Sequence, residues 1–139
     1  MSKAVLDTDI YSEILKAADP VVTRNAIAYR QAKGVLTVSA VTVMEIVRGH
    51  QWKQSARKLQ DFLVAVATEE VLPFDGAVAE LAGKIAGELD RVGRPIGITD
   101  PMIAAVAIHH GLELVTGNTT HFQYVQALGY PLTLANWRI

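Results

Sequence analysis

The acidic residues Asp7, Glu45 and Asp100 are the side chains best able to do chemistry in this sequence. Asp7 directly follows residues 4–6, a short apolar run that predicts a buried strand. Carboxylates that lie close together repel one another unless they share protons or bind a cation, and Mg²⁺ and Mn²⁺ prefer oxygen ligands. The three acids are therefore predicted to form one acidic site that holds Mg²⁺ or Mn²⁺.

Helix capping is the alternative explanation for the aspartates. Asp9 stands before a helix predicted from Ile10, and Asp100 stands before Pro101, so both have the form of an ordinary N-cap. For Asp7 the capping explanation is weaker. Asp9 would point to the same side as Asp7 if the chain stays extended. Both explanations stay open for Asp9 and Asp100.

Glu45 lies in a predicted helix that has almost no polar face. Its apolar neighbours are Val41, Val43, Met44, Ile46 and Val47. A lone buried carboxylate is costly, so it needs a cation, a hydrogen-bonding partner or a raised pKa. The alternative is a surface pair with Arg48, three residues further along the helix.

Asn118 follows the strand predicted to end near Thr116, which places it on the same side of the sheet as the acids. Turn chemistry is the alternative, because Asn is common in turns.

The sequence also has four histidines: His50, His109, His110 and His121. Their spacing is not typical of a zinc site, so no histidine is assigned to metal.

One basic segment stands beside the candidate acidic site. The formal net charge is -1, which lacks the strongly basic balance of a dedicated nucleic-acid binder. There is no acidic residue between Glu45 and Asp61, whereas that interval contains Arg48, His50, Lys53, Arg57 and Lys58. The alternative is that these side chains form an ordinary solvated helix face.

Composition excludes several classes of protein. The chain has 139 residues, of which 50% are hydrophobic, so we expect a single domain over residues 1–139. There is no cysteine, which excludes disulfides, thiolate metal sites and a cysteine nucleophile. An acid follows the start too soon for a signal peptide, and no apolar run approaches the roughly 20 residues of a membrane span. We expect a cytoplasmic protein with no membrane association.

Strand-like and helix-like segments alternate along the whole chain. The predicted strands cover residues 4–6, 35–38, 71–74 and 112–115. The predicted helices cover residues 10–18, 21–32, 41–47 or slightly beyond, 53–67, 76–92, 102–110 and 120–128. Because the strands are apolar throughout, this order predicts an α/β fold with three layers, in which helices cover both faces of a mainly parallel sheet. The functional crevice of such a sheet lies beyond the carboxyl ends of its strands.

Several short motifs occur in a fixed order along the chain. They are Leu6-Asp7-Thr8-Asp9, Ser39 with Met44-Glu45-Ile46, Asp100 with Ile103-Ala104-Ala105, and Val115-Thr116-Gly117-Asn118 followed by His121-Phe122. Their order and spacing resemble PIN-domain proteins, and in particular the VapC toxins. The resemblance extends over residues 3–135, which is nearly the whole chain.

The resemblance implies a PIN-like α/β/α domain with the activity of a Mg²⁺- or Mn²⁺-dependent endoribonuclease. It implies that Asp7, Glu45 and Asp100 bind the metal as catalytic acids. It also implies Thr8 as a supporting hydroxyl near the metal, and Asn118 at the fourth catalytic position. That position is often Asp in the wider PIN family and often Asn among VapC-like members, so the resemblance leaves open whether the site holds one metal ion or two.

Partners are likewise implied by the resemblance. VapC-like proteins cleave RNA, form homodimers and are inhibited by a VapB-like antitoxin whose segment fills the active-site groove. A negative site repels an RNA backbone unless nearby cations reverse the local field. Arg48, Lys53, Arg57 and Lys58 are therefore the predicted RNA-binding residues.

Two other functions are compatible with part of the pattern. A haloacid-dehalogenase-like phosphatase also has two aspartates after a strand, with Asp7 as nucleophile. It would need a lysine and a paired acidic motif after later strands, where this chain has only Thr116 and Asn118. The other alternative is a PIN-fold binding module without catalysis, and the intact Asp7, Glu45 and Asp100 disfavour it.

Overall fold

The computed structural model describes residues 1–139, which form five strands and seven helices. In chain order these are β1 (Ala4–Leu6), α1 (Thr8–Lys16), α2 (Pro20–Lys33), β2 (Thr37–Ser39), α3 (Ala40–Trp52), α4 (Ala56–Val66), β3 (Glu70–Leu72), α5 (Gly76–Arg91), α6 (Thr99–His110), β4 (Glu113–Val115), α7 (Thr119–Ala127) and β5 (Leu134–Ala135).

The strands form one sheet in the order β3-β2-β1-β4-β5, and every neighbouring pair is parallel. β1 lies in the centre, where Leu6 pairs with Val38 of β2 and with Val115 of β4. Because all strands run the same way, the residues that follow them emerge at one edge of the sheet. The predicted parallel sheet is therefore confirmed, and Asp7 and Thr116 leave neighbouring strands side by side.

Two hydrophobic cores lie on opposite faces of the sheet. Side chains alternate along a strand, so Val5 belongs to one core while Ala4 and Leu6 belong to the other. The core around Val5 contains residues of α5, α6 and α7, and the core around Leu6 contains residues of α1, α2 and α4. The predicted three-layer α/β/α architecture is therefore confirmed.

Helix boundaries agree with the predictions best where a cap is present. Asp75 caps α5 by accepting a hydrogen bond from the Val78 N–H, and α5 follows the predicted bounds to within one residue. The Ser39 hydroxyl caps α3 by accepting a hydrogen bond from the Thr42 N–H, and α3 continues to Trp52, past the predicted end near residue 47. The longest helix has 16 residues, and no helix is both long and apolar enough to cross a membrane.

Candidate active site

Asp7 is the N-cap of α1. Its Oδ1 accepts a hydrogen bond from the Ile10 N–H at 2.9 Å, and its side chain is buried. The prediction that Asp9 caps this helix is wrong, because α1 begins at Thr8 and Asp9 lies exposed in the first turn. The capping bond fixes the carboxylate of Asp7 at the carboxyl end of β1.

The second oxygen of Asp7 is held by a residue that the sequence analysis did not select. The hydroxyl of Thr116 donates a hydrogen bond to Oδ2 of Asp7. Thr116 is fully buried directly after β4, and the Asp7 N–H bonds to the Val115 carbonyl at 2.9 Å. Strand pairing therefore brings the hydroxyl and the carboxylate together, and a threonine at a strand end was the only local indication.

Asp7 is a carboxylate that resists ionisation. Burial raises its pKa to about 6, although the hydrogen bonds from Thr116 and from the Ile10 N–H act in the opposite direction. The negative charges of Asp9 and Asp100 raise the pKa further. Asp7 therefore lies within electrostatic range of other acids, and its negative charge is poorly compensated by the protein.

Glu45 is held by hydroxyl groups rather than by a cation. The Thr8 hydroxyl donates to Oε1 at 2.6 Å, and the Thr99 hydroxyl donates to Oε2 at 2.9 Å. Thr8 also exchanges a hydrogen bond of 3.0 Å with Thr42 on α3. Arg48 forms no ion pair with Glu45, so the alternative of a surface pair is not observed. The hydroxyls supply the hydrogen-bonding partners that the apolar surroundings of Glu45 require.

Asp100 is not an N-cap. α6 begins at Thr99, so Asp100 lies in its first turn, and the capping position is taken by Ile98. Oδ2 of Asp100 lies 3.5 Å from Nδ1 of His121. Burial raises the pKa of Asp100, and so do the charges of Glu45 and Asp9, whereas His121 lowers it. The capping explanation is wrong, and Asp100 shares the neighbouring charge of Asp9 with Asp7.

Asn118 connects the Thr116 side of the site with Asp100. Its N–H donates to the Thr116 hydroxyl at 2.9 Å, and its Nδ2 lies 2.8 Å from Nδ1 of His121. Asn118 precedes α7 but its side chain makes no capping bond. His121 was not assigned to the site from the sequence, and its place in the first turn of α7 brings it beside Asp100.

A cleft of about 590 Å³ opens beside the acids between α1, α3 and α4. Thr8 and Glu45 line it together with the basic side chains of Lys16, His50, Lys53 and Lys58. Two of the four predicted RNA-binding residues, Lys53 and Lys58, thus face this cleft. Arg48 and Arg57 are exposed on the same helices but do not line it, and Lys16 was missed because it is distant in sequence from the basic segment.

The carboxyl ends of the strands, here called the carboxyl edge of the sheet, carry the oxygen ligands that a hard divalent cation prefers. Asp7, Glu45 and Asp100 supply only oxygen atoms, and no Lys or Arg forms an ion pair with any of them. As the side chains stand, no three Asp, Glu or His residues form a compact ligand group. Each carboxylate is turned instead toward its own partner, namely Thr116, the Thr8 and Thr99 hydroxyls, or His121.

Comparison with known proteins assigns this arrangement to a family. The family model for the PIN domain matches residues 4–127. A curated relative, the tRNA(fMet)-specific endonuclease VapC of Shigella flexneri, is 38% identical over 129 residues, which cover 92% of this chain and 96% of the relative. The chain belongs to the VapC group of PIN-domain proteins.

Other VapC proteins match over similar lengths. Ribonuclease VapC2 of Haemophilus influenzae is 31% identical over 132 residues, which cover 92% of this chain and 96% of that relative. Among solved structures, DNA-bound VapBC from Salmonella typhimurium superposes with a TM-score of 0.80 at 27% identity, covering 99% of each chain. This VapC-group chain therefore has the PIN fold over its whole length.

Proposed function

We propose that this protein is a Mg²⁺- or Mn²⁺-dependent endoribonuclease that acts as the toxin of a type II toxin–antitoxin pair. The observation that carries the proposal is the group of Asp7, Glu45 and Asp100 at the carboxyl edge, where Asp100 lies in electrostatic range of both other acids and none of the three has a paired Lys or Arg. Membership of the VapC group, whose relatives are named ribonucleases, gives this site its reaction class.

Asp7, Glu45 and Asp100 would hold the metal ion, with Asn118 as an auxiliary residue on the same edge. A bound divalent ion polarises a phosphate oxygen and makes water a stronger nucleophile for hydrolysis of the phosphodiester bond. The threonines orient the carboxylates: Thr8 and Thr99 hold Glu45, and Thr116 holds Asp7. Metal ligands must be deprotonated, so activity is expected to decline as the pH falls through the pKa of Asp7.

The cleft beside the acids is the surface we assign to RNA. Lys16, Lys53 and Lys58 line it within a molecule whose net charge is only -1. Cations placed next to an acidic site attract the phosphate backbone and contribute affinity that falls with salt. Arg48 and Arg57, which are exposed outside the cleft, are assigned to more distant phosphates of the same strand.

An antitoxin and a second copy of the chain complete the proposal. Several of the similar solved structures are VapBC complexes, including the DNA-bound complex of Salmonella typhimurium, so we extend a VapB-like antitoxin partner to this protein. The cleft offers such a partner an apolar floor that contains Leu15, Ile46 and Phe62. Homodimerisation is proposed from the family resemblance, and light scattering of the purified protein would test it.

The two alternative functions have no support in the structure. A dehalogenase-like phosphatase needs a lysine at the aspartate nucleophile, and no lysine lies at ion-pairing distance from Asp7. A binding module without catalysis would not need three neighbouring carboxylates that have no paired Lys or Arg, because acids without a cation at one site cost stability. Nuclease chemistry accounts for both the acids and the family.

The decisive experiment incubates the protein with total transfer RNA and with a synthetic single-stranded RNA in Mg²⁺, in Mn²⁺ and in EDTA. We expect metal-dependent cleavage, which Asp7→Asn lowers by about a hundredfold or more, as loss of one preorganised electrostatic group typically does. Asp75→Asn is the matched control, because Asp75 is also an N-cap aspartate and Asn preserves capping. Cleavage that survives both EDTA and Asp7→Asn would refute the proposal.

Metal binding is measured separately by calorimetric titration with Mn²⁺. Glu45→Gln is expected to weaken Mn²⁺ binding while the domain stays at least as stable, because repulsion among the carboxylates is relieved. If Glu45→Gln binds Mn²⁺ as tightly as the parent protein, Glu45 is not a ligand.

A further inference from the structure

Arg138 lies at the acidic site although nothing in its sequence context indicates a functional role. It follows β5 by three residues, and its guanidinium binds Glu13 on α1. Nε donates to Oε1 of Glu13 at 2.9 Å, and Nη2 lies 2.6 Å from the same oxygen. A contact between residues 125 positions apart in the chain therefore holds the guanidinium over α1.

The backbone that carries Arg138 is firmly anchored. Trp137 is buried, with its ring centroid 5.6 Å from that of Tyr29. Its carbonyl accepts a hydrogen bond of 3.0 Å from the Asn25 side chain, and the Arg138 N–H donates to Oδ1 of Asn136 at 2.9 Å. The position of the arginine is thus set by core packing and not by its ion pair alone.

The guanidinium packs directly against Gly117. A Cβ atom placed on Gly117 would lie 1.8 Å from Nη1 and 2.5 Å from Cζ of Arg138, so any larger residue would displace the guanidinium from this position. Gly117 stands between Thr116, which binds Asp7, and Asn118, which contacts His121. The arginine therefore borders the strand end that carries the acidic site.

One end of the guanidinium stays free for a ligand. Nε and Nη2 both point to a single oxygen of Glu13, and Nη1 donates no hydrogen bond within the protein. The side chain is 35% exposed, so solvent reaches it. The pKa of Arg138 is raised mainly by its hydrogen bond with Glu13, and also by the charges of Asp7 and Asp9, which places the site acids within electrostatic range.

A second arginine of the same protein shows what a purely structural pair looks like here. Nη1 and Nη2 of Arg30 bind the two oxygens of Glu69 separately, at 2.9 and 2.7 Å. Arg138 instead leaves Oε2 of Glu13 buried without a partner and keeps Nη1 unused. The contact with Glu13 orients the guanidinium but leaves its Nη1 without a hydrogen-bond acceptor.

We propose that Arg138 binds a phosphate group of the RNA backbone next to the metal-binding acids, and that Glu13 is its positioning residue. The proposal rests on the ribonuclease function proposed above. Arginine presents a planar fork of donors that suits phosphate oxygens, and a guanidinium held in place before binding loses little entropy. It also offsets the repulsion between an RNA phosphate and the carboxylates of Asp7 and Asp9.

The test measures binding of a fluorescein-labelled 2′-O-methyl single-stranded RNA of twelve nucleotides by anisotropy, in EDTA and over a salt series. The variants are Arg138→Gln, Glu13→Gln with Arg138→Gln, and Gly117→Ala. Lys33→Gln is the control for charge. Lys33 is exposed at the end of α2, next to the amino end of β2, whereas the site acids lie at the carboxyl ends of the strands. Circular dichroism and melting curves establish that each variant is folded.

We expect Arg138→Gln to weaken RNA binding by about tenfold, the usual scale for a hydrogen-bonded charge. The slope of log affinity against log salt should fall by about 0.7, as for one lost contact with single-stranded RNA. In cleavage assays the loss should appear in KM and not in kcat, because the contact exists before the reaction. Lys33→Gln should bind RNA like the parent protein.

The double variant and Gly117→Ala separate the explanations. Arg138→Gln leaves Glu13 unpaired, so repulsion by Glu13 would also weaken RNA binding. If the double variant regains the affinity of the parent protein, that repulsion is the cause and the proposal is wrong. Gly117→Ala retains every charge and displaces the guanidinium, so we expect it to weaken binding as well. Unchanged binding by Gly117→Ala would show that the placement of Arg138 has no role.

Two further results would overturn the proposal. If Arg138→Gln binds RNA as tightly as Lys33→Gln, the arginine is only a clamp between α1 and the segment after β5. Tighter binding by Arg138→Gln would mean that the arginine shields the acids from RNA. In both cases the parent protein still binds and cleaves RNA, whereas failure of the ribonuclease function itself would appear as no cleavage by the parent protein.

Discussion

The two ends of the central sheet treat acidic residues in opposite ways. At the amino ends of the strands, Glu69 is paired with Arg30, and Glu70 lies 2.9 Å from Lys3 and accepts a hydrogen bond of 2.7 Å from Thr37. At the carboxyl ends, the site acids contact hydroxyl groups, backbone N–H groups and a histidine, but no Lys or Arg. The same residue types are neutralised at one end and left without a cation at the other.

The pKa values follow this division. The contacts with Lys3 and Thr37 lower the pKa of Glu70, whereas burial raises the pKa of Asp7 to about 6 and also raises that of Asp100. Perturbed acids in a cleft are typical of functional sites, while acids paired with cations contribute to structure. In this protein the acids that are paired with cations and the acids assigned to the proposed function lie at opposite ends of the strands.

The largest loss of stability should come from disrupting the Glu69–Arg30 pair at the amino ends of the strands. Glu69→Gln removes a charge whose side chain is only 2% exposed and which binds Arg30 through both oxygens. Arg30 is 43% exposed, so the pair is only half-buried. We expect the free energy of unfolding to fall by about 2 kcal/mol, the scale for losing hydrogen bonds to a charged group. Urea denaturation at pH 7 measures it. No loss of stability would mean that this pair is as weak as an ordinary surface salt bridge.

At the carboxyl ends of the strands, removing a charge is expected to increase the free energy of unfolding. Between pH 4 and pH 6 the unfolded chain releases the proton of Asp7 while the folded protein retains it, so folding becomes less favourable as the pH rises. Asp7→Asn removes this cost and preserves the helix cap. In EDTA we expect the variant to be more stable than the parent protein by about 2 kcal/mol above pH 6, with no such advantage below pH 4.

Denaturation curves at both pH values measure that difference. Excess Mg²⁺ should stabilise the parent protein and leave Asp7→Asn almost unchanged, because a ligand that binds only the folded state stabilises it. Equal stability of the two proteins at pH 8 in EDTA would contradict the comparison, since Asp7 would then carry no cost of burial.

The smallest effect is expected from Lys3→Gln. Lys3 and Glu70 are 48% and 38% exposed, so solvent screens their attraction. We expect a loss of less than about 1 kcal/mol in the free energy of unfolding, and less at high salt. Cleavage of RNA should not change. A loss as large as that of Glu69→Gln would show that exposure does not rank these pairs.

Much of the fold was predictable because its patterns are local. The apolar run at residues 4–6 becomes β1 with the same bounds, and the amphipathic run at 76–92 becomes α5. Boundaries shifted where pairing sets the limit: β2 covers Thr37–Ser39 instead of 35–38, because its residues from Thr37 to Ser39 are the ones that pair with β3. Local propensity does not fix such limits.

Capping was the least predictable feature of the site. Both Asp7 and Asp9 have side chains that cap helices, and the sequence favoured Asp9. The structure uses Asp7 because the chain turns into α1 directly after the strand, at Thr8. Asp100 likewise lies inside α6 because the helix begins one residue before it. Local sequence preferences cannot predict the start of a helix to within one residue. That one residue nevertheless decides which carboxylate accepts the capping hydrogen bond.

The sequence by itself determined the order of the elements and the placement of Asp7 and Asn118 at strand ends, because hydrophobic periodicity and chain order specify both. Only the tertiary structure decided which partner each acid receives. Thr116 reaches Asp7 from 109 residues away, and Arg138 reaches Glu13 from 125 residues away. Such contacts depend on strand pairing and on the packing of Trp137, since no local pattern specifies which distant side chains will meet.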